Sequence, residues 1–169
     1  IKDVCLGREV FRGSIRAREL VPACWIDFHD LDRNRMGYQR PFNERRSRLA
    51  AGYAENTTDG FWPERILSIR DEEVDDDAHK VDWEFKEFPG TSGKYGKLIV
   101  EFNNNAESIP GIEVPWRRAF SQVDCQHRLG KMTTSDKFVT FCIFPGISRR
   151  DEAIIFKVIN EKQREIDTS

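Results

Sequence analysis

The chain has 169 residues, 38% of them hydrophobic, with 12 phenylalanines and 4 tryptophans, which is enough apolar material for the core of one domain. Its formal charge of −2 argues against a uniformly basic protein that coats nucleic acid. The sequence contains neither an apolar run of roughly 18 residues, the length that spans a bilayer, nor a signal-peptide pattern. We therefore expect a single cytoplasmic domain over residues 1–169, excised from a longer protein and without a membrane partner.

Arginines are concentrated between residues 33 and 48. Asn43 is suited to cap a helix over residues 44–55, because its side chain can accept a backbone N–H of the first turn. Helical spacing places Leu49, Ala50 and Tyr53 on the inward side of this helix. The arginines form either a phosphate-facing surface or an ordinary solvated face. They are Arg33, Arg35, Arg40, Arg45, Arg46 and Arg48.

The middle of the chain is predicted to be rich in strands. Residues 64–69 form one β-type run, and residues 81–88 alternate apolar and polar side chains with the period of a strand. A glycine-rich connection leads from there to residues 97–102, which predicts an antiparallel hairpin. This connection lacks the residue order of a phosphate-binding P-loop. The acidic run at residues 71–77 is most simply a solvated loop, with a divalent-cation site or DNA mimicry as alternatives.

A β-type run at residues 119–123 breaks at Asp124 into a polar turn, and a helix begins after it. We name this turn, residues 124–128, the elbow. A helix N-terminus presents unpaired N–H groups and the positive end of the helix dipole, so the elbow suits an anion, above all a phosphate. The alternative is that Asp124 only caps the helix, with His127 and Arg128 on a solvated first turn.

The C-terminal part is predicted to contain a buried strand and an amphipathic helix. Residues 138–144 form an apolar run that Pro145 and Gly146 end. Residues 148–151 form a capping box that opens a helix ending near residues 160–163. The apolar side of this helix is Ala153, Ile154, Phe156, Val158 and Ile159.

The four cysteines and three histidines show no metal-binding spacing, so we expect no metal site built from the protein alone. Cys142 lies in an apolar run and is expected to be a small core residue. Cys125 is either an inert residue or a reactive thiol, since a helix N-terminus near cationic groups lowers the pKa of a thiol.

The elbow reads Asp-Cys-Gln-His-Arg, which resembles the Asp-Gly-Gln-His-Arg signature of the DGQHR-domain family, with Cys125 in the place of glycine. Two upstream segments are similar to elements of the same family. Residues 7–15 and 17–20 resemble its opening strand and short helix. Residues 38–46 resemble its Tyr-Gln-Arg-Pro element, which leads into a helix. The resemblance covers nearly the whole chain.

The resemblance implies a fold and a function. The family includes the DndB-type proteins of DNA phosphorothioation clusters, and its fold is related to those of ParB and sulfiredoxin. It implies an α/β domain with a mixed sheet of five or six strands and flanking helices. In ParB-like domains this turn binds nucleotide, and the sulfiredoxin elbow ends in a His-Arg pair that matches His127 and Arg128. The implied function is binding of a nucleoside triphosphate with Mg²⁺, with hydrolysis left open, by a domain that acts on or regulates DNA in a bacterial DNA-modification or phage-defence system.

The resemblance also implies roles for individual residues. Asp124 and His127 would be catalytic in hydrolysis, Asp124 as a general base or beside a magnesium-bound water. Two alternatives to nucleotide hydrolysis stay open. The chain could be a non-enzymatic DNA-binding transcriptional regulator, or it could perform sulfiredoxin-like thiol chemistry at Cys125. A second copy of the chain or other proteins of a DNA-modification system are further expected partners. Arg45 and Arg48 would contact DNA, and the nucleotide-binding set is Arg40, Arg46, Gln126, His127, Arg128, Asn160 and Gln163.

Overall fold

The computed structural model describes residues 1–27, 29, 31–32, 35, 37–40, 42–57, 63–70, 81–102 and 119–167. Arg33 and the acidic run at residues 71–77 lie outside the described residues, as does the side chain of Gln163. In chain order the elements are β1 (Lys2–Cys5), β2 (Arg8–Arg16), α1 (Ala17–Leu20), a 3₁₀ turn (Val21–Ala23), β3 (Cys24–Trp25), α2 (Glu44–Asn56), β4 (Arg65–Arg70), β5 (Val81–Glu87), β6 (Gly96–Phe102), β7 (Phe120–Asp124), α3 (Gln126–Leu129), β8 (Phe138–Ile147) and α4 (Arg149–Asp167).

In the described part of the chain, six strands form one mixed sheet in the order β1, β2, β8, β4, β7, β3. β4 is parallel to β8 and β3 is parallel to β7, whereas the other neighbours are antiparallel. β5 and β6 pair in a separate antiparallel hairpin, as the sequence predicts. The expected α/β architecture, with a mixed sheet and flanking helices, is confirmed at this level.

Alternating side chains along the strands divide the core into two layers, one on each face of the sheet. Val10 of β2 belongs to the apolar cluster that contains Ile155 of α4. Its neighbour Phe11 belongs to the cluster that contains Leu129 of α3, and its ring stacks on Phe85 of the hairpin at 4.9 Å. α4 therefore covers one face of the sheet, while α3 and the hairpin cover the other. Among the described helices, none is long and apolar enough to cross a membrane.

Two predicted ends are wrong. β8 does not stop at Pro145 but continues to Ile147, because Gly146 adopts a φ of 58° and the pairing with β4 shifts register there. α4 continues to Asp167 instead of ending near residues 160–163. The residues beyond 160 include no glycine or proline, and most are strong helix formers, so nothing in the sequence stops this helix.

The inward face predicted for α2 is also wrong. The cap is confirmed, since Asn43 Oδ1 accepts the N–H of Arg46 at 2.9 Å. Leu49 and Tyr53, however, are 66% and 45% exposed, whereas Ser47 is buried. Together with Ala51 and Ala54, which pack against the core, Ser47 forms a face of small side chains. Small residues let α2 approach α3 closely, and this contact outweighs the burial of two larger side chains.

α4 begins as the capping box predicts, with the N–H of Asp151 donating to Ser148 Oγ at 3.1 Å. Its inward face is shifted from the prediction, because Ile154 is 50% exposed and Ile155 is buried instead. Glu152 shares this inward face and is fully buried. A buried carboxylate requires strong hydrogen-bond partners, and Arg70, Ser68 and Ser121 provide them for Glu152.

Candidate functional site

The predicted elbow is present between β7 and α3. β7 ends at Asp124, and Cys125 is the residue that precedes the first turn of α3. The N–H groups of Arg128 and Leu129 donate to the carbonyl of Cys125 at 2.8 and 3.1 Å. Asp124 is therefore not the cap of α3, and the capping alternative is wrong. The φ of Cys125 is 179°, an extended value that any residue adopts, so the backbone here does not require glycine.

Arg128 folds back onto the end of β7. Its Nη2 donates to the carbonyl of Asp124 at 2.9 Å and to the carboxylate Oδ2 of the same residue at 2.8 Å. Both side chains are about one quarter exposed, at 22% and 26%. Within the described residues, Nη2 is the only nitrogen of this guanidinium with a hydrogen-bond partner, so Nε and Nη1 can still donate to a bound anion.

His127 connects the elbow to the start of α2. Its Nδ1 accepts the N–H of Asn43 at 3.4 Å, and its ring lies 5.8 Å from the ring of Phe42. Burial lowers the pKa of His127, and the positive charge of Arg46 lowers it further. Both effects favour the neutral imidazole, and in that form its proton is on Nε2, because Nδ1 accepts the N–H of Asn43.

A buried arginine lies beneath the elbow, and the sequence analysis missed it. Arg65, the first residue of β4, is 0% exposed, and its Nη1 donates to the carbonyl of Pro63 at 2.7 Å. Burial lowers the pKa of Arg65 to about 10, and repulsion by Arg128 adds to this effect. The burial of Arg65 could not be predicted from the sequence, because an arginine at the edge of a predicted strand normally faces solvent.

Cys125 belongs to the core and not to a reactive surface. It is 3% exposed, and its Sγ lies 3.6 Å from Oε1 of Gln122. Burial raises the pKa of the Cys125 thiol to about 12, an effect larger than the opposing influence of Arg128. The expected lowering of this pKa at a helix N-terminus is therefore wrong, and both burial and the raised pKa disfavour a reactive thiol at Cys125. Cys142 is fully buried in β8, which confirms its predicted role in the core.

The predicted site residues outside the elbow are not joined to it by a hydrogen bond or ion pair among the described residues. Arg40, Arg45, Arg46 and Arg48 are exposed, and Arg46 alone of these influences an elbow side chain through its charge on His127. The Nδ2 of Asn160 donates to the carbonyl of Phe156 in its own helix at 2.8 Å. Gln126 is partly buried, and its Oε1 has no hydrogen-bond partner among the described residues.

A buried ionic network, absent from the sequence analysis, lies behind the elbow. The carboxylate of Glu152 accepts hydrogen bonds from Nε and Nη2 of Arg70 at 2.9 and 2.8 Å. Arg70 also forms an ion pair with the fully buried Asp27. Arg149 donates to the two oxygens of Asp27 at 2.9 and 2.8 Å. The guanidinium of Arg70 also lies 4.6 Å from the ring of Trp25. The detectable signal was the position of Glu152, one turn before Ile155 and Phe156 on an apolar helix face.

Hydroxyl groups complete the surroundings of Glu152. Ser121 donates to its Oε1 at 2.6 Å, Ser68 donates to its Oε2, and Tyr38 donates to its Oε1. Burial and the negative charge of Glu152 raise the pKa of Tyr38, so this phenol remains a protonated donor. Gln39, the next residue, connects the network to β7, because its Nε2 donates to the carbonyls of Gln122 and Val123.

Among the described residues, no group of three or more histidine, cysteine or acidic side chains is arranged to hold a metal ion. No protein-family model, curated protein or solved structure matches the chain. The resemblance to the DGQHR-domain family therefore rests on the motifs and their order along the chain alone.

Proposed function

We propose that this domain binds the phosphate groups of a nucleoside triphosphate at the elbow. The observation that carries the proposal is the crowding of positive charge at this point. Arg128 lowers the pKa of the buried Arg65, and Arg46 lowers the pKa of His127. The positive charges of Arg46, Arg65 and Arg128 disfavour any further positive charge at the elbow, and an anion bound beside them would relieve their repulsion. A polyphosphate is the anion whose charge best matches several such groups.

Each elbow side chain has a role in this proposal. Arg128, oriented by Asp124, offers Nε and Nη1 to phosphate oxygens in the planar geometry that suits them. His127 donates from Nε2, and Arg46 reaches the same ligand from the first turn of α2. Gln126 supplies an acceptor for a ribose or base donor. Arg40, Asn160 and Gln163 complete the nucleotide set by resemblance alone.

Magnesium would enter this site with the nucleotide. Mg²⁺ is commonly held by one or two carboxylates together with substrate phosphates, and Asp124 is the elbow carboxylate that fits this pattern. Asp124 is hydrogen-bonded to Arg128, so its use as a metal ligand or general base requires that bond to be exchanged. Binding is therefore the primary proposal, and hydrolysis through Asp124 and His127 is a separate one.

Duplex DNA is the proposed partner of the outer face of α2. Arg45 and Arg48 are exposed there, one helical turn apart, so both can reach phosphates of one backbone. With a nucleotide at the elbow next to the same helix, the domain would act as a nucleotide-controlled DNA binder in a bacterial DNA-modification or defence system. A regulator that binds DNA without hydrolysing nucleotide is the second candidate, and it uses the same face.

A titration of ATP, GTP and CTP, with and without Mg²⁺ and duplex DNA, tests these proposals. Binding is followed by calorimetry and phosphate release by a colorimetric assay. Binding with release supports a nucleotide-hydrolysing domain, and binding without release supports the regulator. If none of the three nucleotides binds under any of these conditions, the nucleotide proposal is wrong.

A further inference from the structure

The elbow follows an irregularity in the sheet. Ile66 of β4 is opposite Asp124, but the next residue, Leu67, is opposite Gln122. Val123 is therefore an extra residue on β7, which is a β-bulge directly before the elbow. A bulge disrupts the ladder of backbone hydrogen bonds and re-aims the residues that follow, so its geometry decides where Asp124 and Arg128 point.

The other neighbour of β7 does not reach this bulge. β3 pairs with β7 at Phe120 and Ser121 only. Beyond the end of β3, the side chain of Gln39 supplies the hydrogen bonds to β7. Its Nε2 donates to the carbonyls of Gln122 and Val123, the latter at 3.1 Å. Gln39 is 1% exposed, so these bonds form in a region without bulk water, where losing a partner is costly.

Gln39 is itself held by the ionic network. Its Nε2 lies 3.2 Å from the hydroxyl of Tyr38, which donates to the buried Glu152. The backbone N–H groups of Tyr38 and Gln39 donate to the carbonyl of Asp27 at 3.2 and 3.1 Å. The side-chain amide of Gln39 is thus held by Tyr38 and by the two carbonyls of β7, and its backbone is held by Asp27.

We propose that Gln39 is a positioning residue for the elbow. Its amide holds the bulge at Val123 in the form that aims Arg128 and keeps His127 against Phe42 and Asn43. The consequence for a ligand rests on the proposed nucleotide function, whereas the effect on elbow geometry does not. Gln39 has no role as a ligand contact in this proposal.

The test uses Gln39→Met, which has a similar length but cannot donate a hydrogen bond, and Tyr38→Phe, which removes only the hydroxyl. Val10→Ala is the matched control, because it weakens the core on β2, which β8 and β4 separate from β7 in the sheet. The readout is the pKa of His127 from NMR titration, assigned with His127→Asn, in parallel with ATP affinity from calorimetry.

We expect the pKa of His127 to rise toward its ordinary value in Gln39→Met, because the ring loses burial when the bulge relaxes. Tyr38→Phe shifts it in the same direction by less, and Val10→Ala leaves it unchanged. ATP affinity falls by up to about tenfold in Gln39→Met, the loss expected from one displaced hydrogen bond.

A folded Gln39→Met with the parental His127 titration overturns the positioning role and leaves Gln39 as a stabilising residue only. If Gln39→Met does not fold, Tyr38→Phe decides in the same way, since it keeps the apolar packing. If the parent binds no nucleotide, the proposed function fails, and the His127 titration still decides the positioning role.

Discussion

At the scale of single residues, Arg128 carries the sharpest prediction. Arg128→Ala should weaken nucleotide binding by more than about tenfold, because a hydrogen bond to a charged group contributes roughly 1.5–3 kcal/mol. Its loss also frees Asp124, whose negative charge then repels phosphate. The measurement is calorimetric titration with ATP, and Arg18→Ala, an exposed arginine on α1, is the control. Unchanged affinity in a folded Arg128→Ala protein contradicts a phosphate role.

The cysteines give a second prediction at this scale. Burial raises the pKa of Cys125 and of Cys142 to about 12, whereas Cys5 is partly exposed. Only the thiolate reacts with iodoacetamide, so at pH 8 we expect labelling of Cys5 first and protection of the other two. Mass spectrometry of the native protein, with the urea-unfolded protein as the control, locates the label. Rapid native labelling of Cys125 would restore thiol chemistry as a candidate function.

At the scale of elements, the contact between α2 and α3 depends on Gly130. A Cβ there would lie 2.4 and 2.5 Å from the ring of Phe42 and 3.1 Å from Ser47 Oγ. Gly130→Ala should therefore lower the free energy of unfolding by about 1–3 kcal/mol, the usual cost of overpacking, and displace Phe42 from His127.

Gly52→Ala is the matched control for this contact. It lies on α2, where an added Cβ meets nothing within 4 Å, so it should stabilise the helix by about 0.5–1 kcal/mol. Urea unfolding of both variants and the parent measures the two effects. Equal stabilities of the two glycine variants would show that α2 and α3 are not in close contact.

Substitution of its arginines tests whether the outer face of α2 binds DNA. Arg45→Ala combined with Arg48→Ala should weaken DNA binding and reduce the slope of log K against log salt by about 2, because each phosphate contact contributes about 0.9. Arg8→Ala combined with Arg18→Ala removes the same charge from exposed positions outside α2 and should leave the slope unchanged. A parental slope in the α2 variant would identify an ordinary solvated face.

The elements themselves could largely be predicted from the sequence. The hairpin, the elbow, the caps of α2 and α4 and the buried Cys142 follow from local patterns that the structure confirms. The inward faces of α2 and α4 could not, because helix periodicity marks large apolar residues. It does not identify the small residues that allow close approach, or a buried acid such as Glu152.

At the scale of the whole molecule, the least predictable feature is the ionic network. Asp27, Arg70 and the first turn of α4, which supplies Arg149 and Glu152, are three parts of the chain far apart in sequence, and the tertiary fold brings them together. Patterns in a single sequence indicate local periodicity, so they do not indicate an ion pair between segments that are distant along the chain. The same holds for Gln39, whose partners on β7 lie more than 80 residues away.

This network should dominate the stability of the domain. Glu152→Gln keeps the shape of the side chain but removes the charge opposite Arg70, which is 9% exposed. In Glu152→Gln, Arg70 and Arg149 share the single negative charge of Asp27, so one positive charge is left in excess. Breaking a buried ion pair costs about 3–5 kcal/mol, and because Asp27 still pairs with Arg70 we expect a loss of stability toward the lower end of this range. The control, Glu161→Gln, removes an exposed partner of Lys157 on the same helix and should change stability by less than about 1 kcal/mol. Urea unfolding at pH 7 compares the two variants, and a Glu152→Gln protein as stable as the control would mean that hydroxyl and amide contacts alone hold this part of the core.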